Sequence, residues 1–399
     1  MTRPGELDLD ILDDPSALAA LDASDMLRAV ASAGAQVREA VALTEPDLLA
    51  PLVADGRPRA VVVTGMGGSG IVADVAVAVA GRTCPVPVVA HRGHRLPGWV
   101  GPMDLVIAVS CSGGTEETLS ATDEALRRGA RLVTVGAAGS ALAARSDGGR
   151  ALHLPVDSHG RMPRANLWGL AVPVLLVLDA VGLADVPREM LADLADRLDA
   201  TAEACGPASE TVSNPAKGLA LQLAGTLPYI WGASELAAVA ASRTAAQLAE
   251  NAKHPAVHGP LTEVHHNQVV VFAGVFGSLA DELGGGGGEG EGDRVANDID
   301  DIFRDPVEDG PGRTRVRLLV LRNTDEVPQV SLRADASHEV AERYRVASGE
   351  LRAEGDHPLT RLASLVAPLD FVSVYLALVQ NLDPSPIEPI VALKGGAGA

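Results

Sequence analysis

The chain has 399 residues and a formal net charge of −20, which excludes the broad basic face that nucleic-acid binding needs. Apolar residues reach 47% while aromatics are only 3%, so the core must be Ala, Val and Leu, the mix of parallel strands covered by Ala-rich helices. Cys84, Cys111 and Cys205 are far apart, odd in number and without C-x-x-C spacing, which argues against a disulfide framework and makes reduced cytosolic thiols the expectation.

Met1 to Asp14 is acidic and holds no long apolar segment, so no signal peptide is expected. Ser16 to Leu49 has apolar residues near helical spacing. Then strands and helices alternate. Ala60–Val63 reads as a strand, followed by the loop Gly65-Met66-Gly67-Gly68-Ser69-Gly70 and a helix over Ile71–Ala80. Val86–Ala90 and Leu105–Val109 read as strands. After the second comes Ser110-Cys111-Ser112-Gly113-Gly114-Thr115-Glu116-Glu117-Thr118, opening a helix over Thr115–Arg128. Strands over Arg131–Val135 and Leu152–Leu154 complete a parallel sheet flanked by helices, with ligands expected at the carboxyl ends of the strands.

A helical stretch over Leu167–Ala204 separates two halves, and its most apolar part, Leu170–Val181, is too short to span a bilayer. The alternation then restarts. Leu227–Trp231 reads as a strand ending in Gly232-Ala233-Ser234-Glu235, before a helix over Leu236–Asn251. Strands are expected over Val269–Ala273 and Val316–Leu321, and helices over His338–Val346 and Leu359–Gln380. The expected division is an α/β domain over 1–165, a helical connection over 166–205 and a second α/β domain over 206–399. The Gly/Glu-rich stretch 283–310 is expected to be a flexible acidic surface insertion.

Both glycine-and-hydroxyl loops follow a buried strand and open a helix. Such corners offer free N–H groups and the positive end of a helix dipole, which suits a phosphate. The first loop alone is weak: Met66 and Ser69 do not complete a nucleotide fingerprint, and Ala90-His91-Arg92 lacks the acid that would hold a ribose. The second is more specific. An ordinary helix cap needs one hydroxyl, whereas Ser110, Ser112 and Thr115 offer three around Gly113 and Gly114. Gly67, Gly68, Ser69, Ser110, Ser112 and Thr115 are therefore the candidate phosphate-binding residues.

G-M-G-G-S-G followed by S-x-S-G-x-T-x-E-T resembles the sugar isomerase (SIS) domain, and within it the bifunctional phosphoglucose/phosphomannose isomerases. The resemblance continues through Met162-Pro163-Arg164-Ala165, Arg243 with Glu250-Asn251-Ala252-Lys253, His266-Asn267, and Pro386-Ile387 to Leu393-Lys394. Cys111 and Gly114 stand where many members have Tyr and Asn, His265 where Asn is usual, and Ser385 where Thr is often found. The resemblance implies two SIS-type domains and an aldose–ketose isomerase acting on a phosphorylated hexose without metal or other cofactor. It implies Glu250 as the base moving a proton between C2 and C1, against the alternative of a helix-surface glutamate. It implies His266 for ring opening, Arg164 for enediolate charge, and Lys394 for ring opening or for holding a hydroxyl. His254, His258, Glu263 and His265 invite a zinc reading, but they lie around Pro255 and Pro260 without H-E-x-x-H spacing, so no metal site is expected. A cytoplasmic homodimer with His266 acting in trans is implied, with no nucleic-acid or membrane partner. The alternatives are a phosphosugar sensor on the same fold and an amidosugar isomerase, although no glutaminase nucleophile is present.

Overall fold

The computed structural model describes residues 6–147, 151–280 and 314–396, so the stretch 283–310 lies outside the described residues. Among them, two parallel sheets form. The first has the order β2-β1-β3-β4-β5, from β1 (Val61–Thr64), β2 (Val88–His91), β3 (Leu105–Ser110), β4 (Arg131–Gly136) and β5 (Ala151–Pro155). The second has the order β7-β6-β8-β9, from β6 (Thr226–Gly232), β7 (Val257–Pro260), β8 (Arg315–Arg322) and β9 (Ala347–Arg352). All pairings are parallel, with Thr64 opposite both His91 and Ala108. That register places the loops after β1 and β3 side by side, where the strand order reverses and α/β sheets hold their ligands.

The continuous Val/Ile/Leu runs follow from burial on both faces. Val61 and Val63 face the main core with Ile107, while Val62 joins Val106 and Ala108 in a smaller cluster on the other face. Ile230, Leu319 and Leu321 face the same main core from the second sheet. The helices Leu167–Ala180 and Pro358–Val379 supply much of that core. Pro358–Val379 is apolar and long enough to cross a bilayer, yet 89% of its most apolar window is buried inside the fold. Each Leu, Val or Phe buried there contributes about 1.5–3 kcal/mol.

Several sequence expectations need correction. Val269–Ala273 is not a strand but part of a 3₁₀ helix, Gln268–Ala273. Asn267 accepts from the Gln268 N–H and starts the turn, and Phe272 is buried on Trp231 at 5.4 Å while Val270 faces outward. The helical stretch after Leu167 is two helices, Leu167–Ala180 and Arg188–Ala204, separated at Gly182 and Pro187. The helix expected over His338–Val346 runs Pro328–Arg343 instead. Strands β7 and β9 went unrecognised: β7 is a short V-H-G-P segment, and β9 is a half-exposed edge strand with the polar sequence A-S-G-E-L-R.

Candidate active site

The two loops meet at the β1/β3 junction. The Cys111 N–H donates to Ser69 Oγ at 3.1 Å, tying one loop to the other. Ser110 Oγ and Thr115 Oγ1 share a hydrogen bond of 2.9 Å, and the Gly114 N–H donates to Ser112 Oγ at 3.3 Å. Thr115 occupies the cap position of the helix Glu116–Arg128 but makes no side-chain cap bond. The N–H groups of the first turn are therefore left for a ligand rather than satisfied by a hydroxyl. Gly113 is at φ +65°, and a Cβ there would stand 2.0 Å from Ser140 Oγ, so this turn admits only glycine. Arg92, at the end of β2, donates to the Gly70 carbonyl at 3.1 Å and pairs with Asp74.

Gly68 links this cup to the rest of the site. A Cβ on Gly68 would lie 2.8 Å from the Pro163 carbonyl carbon and 2.9 Å from the Arg164 nitrogen, so the two backbones touch. Arg164 is 2% exposed and enters a dense set of contacts. Its Nε donates to Asn251 Oδ1 at 2.6 Å, and its Nη2 donates to the carbonyls of Pro384 and Ser385 at 3.0 Å each. Its Nη1 stands 3.6 Å from Glu250 Oε2. Of the five guanidinium donors, those on Nη1 alone remain for the space beside Glu250. Burial pulls the Arg164 pKa down, and the charges of Glu250 and Asp383 oppose that effect.

Glu250 and Asn251 close the helix Glu235–Ala252. Its N-terminus is fixed by Ser234, whose Oγ accepts from the Ala237 N–H at 3.1 Å. Its C-terminus is fixed by Lys253, at φ +52°. Lys253 Nζ donates to the carbonyls of Asn251, Asp383 and Pro384 at 3.0 to 3.2 Å, which ties the segment 383–385 to the end of the helix. Burial lowers the Lys253 pKa, and Arg164 adds to that. The hydroxyl loops, Arg164, Glu250 and Ser385 are thus brought together within one chain.

His266 and Lys394 are not brought to this cluster. His266 is exposed, and no hydrogen bond or ion pair of its side chain reaches Glu250 or Arg164. Lys394 is exposed on the last helix, Glu388–Gly396, beside exposed Ile390, Val391 and Leu393. Two histidines of the zinc reading have other partners. His254 contacts Gln380 Oε1 and the Thr226 carbonyl, and His265 contacts Ser337 Oγ. Among the described residues one grouping of three ligand-type side chains stands out, Glu39, Asp157 and His159. There the two carboxylates face different ring nitrogens of His159, which does not define one coordination point.

The sequence reading missed how Arg164 is held. Asp370 and Ser373, on the helix Pro358–Val379, reach it through Arg243, Gln247 and Asn251. Asp370 was detectable as the one acidic residue in a mostly apolar helix. Two buried hydroxyls, Thr118 in the first turn of the helix Glu116–Arg128 and Ser385 beside Arg164, have no hydrogen-bond partner among the described residues. Clefts of about 460 and 280 Å³ lie elsewhere, around Thr211–Pro215 and around Asp13 and Lys217, and include none of these residues.

Residues 212–396 match the family model for the bacterial phospho-glucose isomerase C-terminal SIS domain. A bifunctional phosphoglucose/phosphomannose isomerase of Caldicellulosiruptor bescii is 29% identical over 335 residues, covering 84% of this chain and 88% of the relative. One from Aquifex aeolicus is 28% identical over 338 residues, covering 84% and 89%. The fold is also that of the tagatose-6-phosphate ketose/aldose isomerase of Escherichia coli, with a TM-score of 0.60 at 13% identity over 97% of this chain and 98% of that one. The chain thus carries a match to that SIS domain over residues 212–396, and over most of its length it is similar to bifunctional phosphoglucose/phosphomannose isomerases.

Proposed function

We propose that the protein is an aldose–ketose isomerase that interconverts glucose 6-phosphate or mannose 6-phosphate with fructose 6-phosphate through a cis-enediolate. The observation that carries this reading is the 3.6 Å approach of a half-buried carboxylate, Glu250, to the one uncommitted end of Arg164, next to the hydroxyl loops. Ser69, Ser110, Ser112 and Thr115, with the backbone of Gly67 and Gly68, hold the phosphate.

Glu250 takes the proton from C2 of the open aldose. The electron pair of that C–H bond becomes the C1–C2 double bond, and the carbonyl π pair moves onto O1. The Nη1 donors of Arg164 stabilise that developing oxyanion. The O2 proton passes to O1, Glu250 returns its proton to C1, and the ketose carbonyl forms at C2. Anchoring the phosphate at C6 lets remote binding energy orient C1 and C2 against Glu250. Because C2 is planar in the enediolate, its configuration is lost, which allows both epimeric aldoses as substrates.

Ring opening is assigned to His266, supplied by the second subunit of a homodimer, with Lys394 assisting it or holding a hydroxyl. Val270, Val275, Phe276 and Leu279 are exposed just after His266, and Val391 and Leu393 beside Lys394, which supports a contact surface there. A domain break near residue 206 is supported by the turn before Asn214 and by the start of the family match at 212. A cytoplasmic location is supported by three free cysteines. A coupled assay offering glucose 6-phosphate and mannose 6-phosphate separately, with and without chelator, tests the reading. Fructose 6-phosphate should form from both at rates indifferent to chelator. Tight phosphosugar binding without turnover would make the protein a sensor instead.

A further inference from the structure

Arg164 is held from behind by a second set of buried groups. Arg243 Nε donates to Asp370 Oδ1 at 2.9 Å, and Arg243 Nη2 donates to Asp370 Oδ2 at 2.7 Å. The same Nη2 donates to the Arg164 carbonyl at 2.8 Å. Gln247 Nε2 bridges the same two acceptors, reaching Asp370 Oδ1 and the Arg164 carbonyl at 3.2 Å each. One turn on, Asn251 Nδ2 donates to Ser373 Oγ at 2.9 Å, and Ser373 Oγ donates to the Asp370 carbonyl at 2.6 Å. Asn251 Oδ1 then accepts from Arg164 Nε. Backbone and guanidinium of Arg164 are therefore both traced to one turn of the apolar helix, Asp370 to Ser373.

We propose that Asp370 and Ser373 are positioning residues for the isomerisation, aiming Arg164 Nη1 at the enediolate oxygens through Arg243, Gln247 and Asn251. The proposal rests on the isomerase reading above. Stability is a weak reason for building this network, because buried ion pairs are often no more stabilising than apolar residues of similar volume. Arg243 is 4% exposed and Asp370 is 7% exposed, and their bidentate pairing makes Arg243 a rigid strut. Asp370 also neutralises Arg243, so the charge presented to the reacting carbons is that of Arg164.

The test uses full-length Asp370→Asn and Ser373→Ala, with kcat and KM measured for each hexose phosphate beside melting temperature. A second readout is affinity for a five-carbon aldonate 5-phosphate, whose carboxylate stands in for the enediolate. Asp370→Asn should lower kcat about 10- to 100-fold with KM within about threefold, and weaken aldonate binding in step with kcat. Ser373→Ala, which removes one hydroxyl, should lower kcat about 3- to 10-fold and decides the matter if Asp370→Asn does not fold. Wild-type kcat in folded variants would overturn the proposal, as would losses matched by the unfolded fraction. An inactive wild-type enzyme would instead overturn the isomerase reading itself.

Discussion

At the carboxyl end of β3 the chain leaves N–H groups and hydroxyls open, whereas at the matching end of β8 it fills the space with its own carboxylates. The two strands occupy equivalent places, third in the orders β2-β1-β3 and β7-β6-β8. After β3, Thr115 leaves the following helix uncapped by a side chain. After β8, Glu326 accepts from the Asn323 N–H at 2.7 Å and takes three contacts of 2.7 to 3.0 Å from Arg322. Asp335 and Glu350 add to the same guanidinium, and Ser234 caps the helix after β6. Arg322 is 1% exposed, and its carboxylate partners, Glu326 first, hold its pKa well above the ordinary arginine value against the opposing effect of burial. An arginine at a strand end thus marks an anion site only when nothing in the chain already satisfies it. In a chain of net charge −20, leaving donors unsatisfied is what distinguishes the amino-terminal corner.

In the proposed isomerase reading, phosphate binds at one sheet and the reacting carboxylate comes from the other, so the comparison breaks most sharply at Glu250. Glu250→Gln keeps the shape and a hydrogen-bonding oxygen but cannot accept the proton. Its kcat should fall about 10³-fold, as expected for loss of a general base, while hexose-phosphate affinity measured by calorimetry stays close to wild type. Turnover within tenfold of wild type would remove Glu250 from the role. Gly113→Ala comes next. Its Cβ would meet Ser140 Oγ at 2.0 Å and Ser140 Cβ at 2.3 Å, so the loop must move. KM should rise about 10- to 100-fold, with kcat falling as well because the C6 anchor also orients C1 and C2. Gly67→Ala sharpens the point: φ there is +53° but the space is open, so its effect should be much smaller.

Legibility in the sequence followed distance along the chain. The open corner was readable because strand, loop and helix start lie within a few residues, and glycines and hydroxyls are local signals. Helix Ile71–Ala80 and strands β1 and β3 fell within a residue of their expected bounds for the same reason. What escaped depends on contacts between remote segments. Arg243 meets Asp370 across 127 positions, and Arg164 meets Asn251 across 87, so no window of sequence contains either pair. Strand β9 escaped because an edge strand with one solvated face lacks an apolar run, while Val269–Ala273 misled because its apolar run serves a turn packed on Trp231.

The smallest kinetic effect is expected at the closed corner, where it is most diagnostic. Glu326→Gln removes the carboxylate that neutralises Arg322 but keeps an oxygen for the Asn323 N–H. Both side chains are almost fully buried, at 2% and 4% exposed, so the variant weakens a desolvated pair whose complete loss costs about 3–5 kcal/mol. Asp335 and Glu350 still face the guanidinium and limit the damage. The melting temperature should therefore drop by several degrees, while KM for hexose phosphate stays within about twofold, because no ligand contact is lost. A KM that changed tenfold at an unchanged melting temperature would mean that the β8 corner takes part in binding. The asymmetry between the two sheets would then be a division of one substrate site, rather than an open corner set against a closed one.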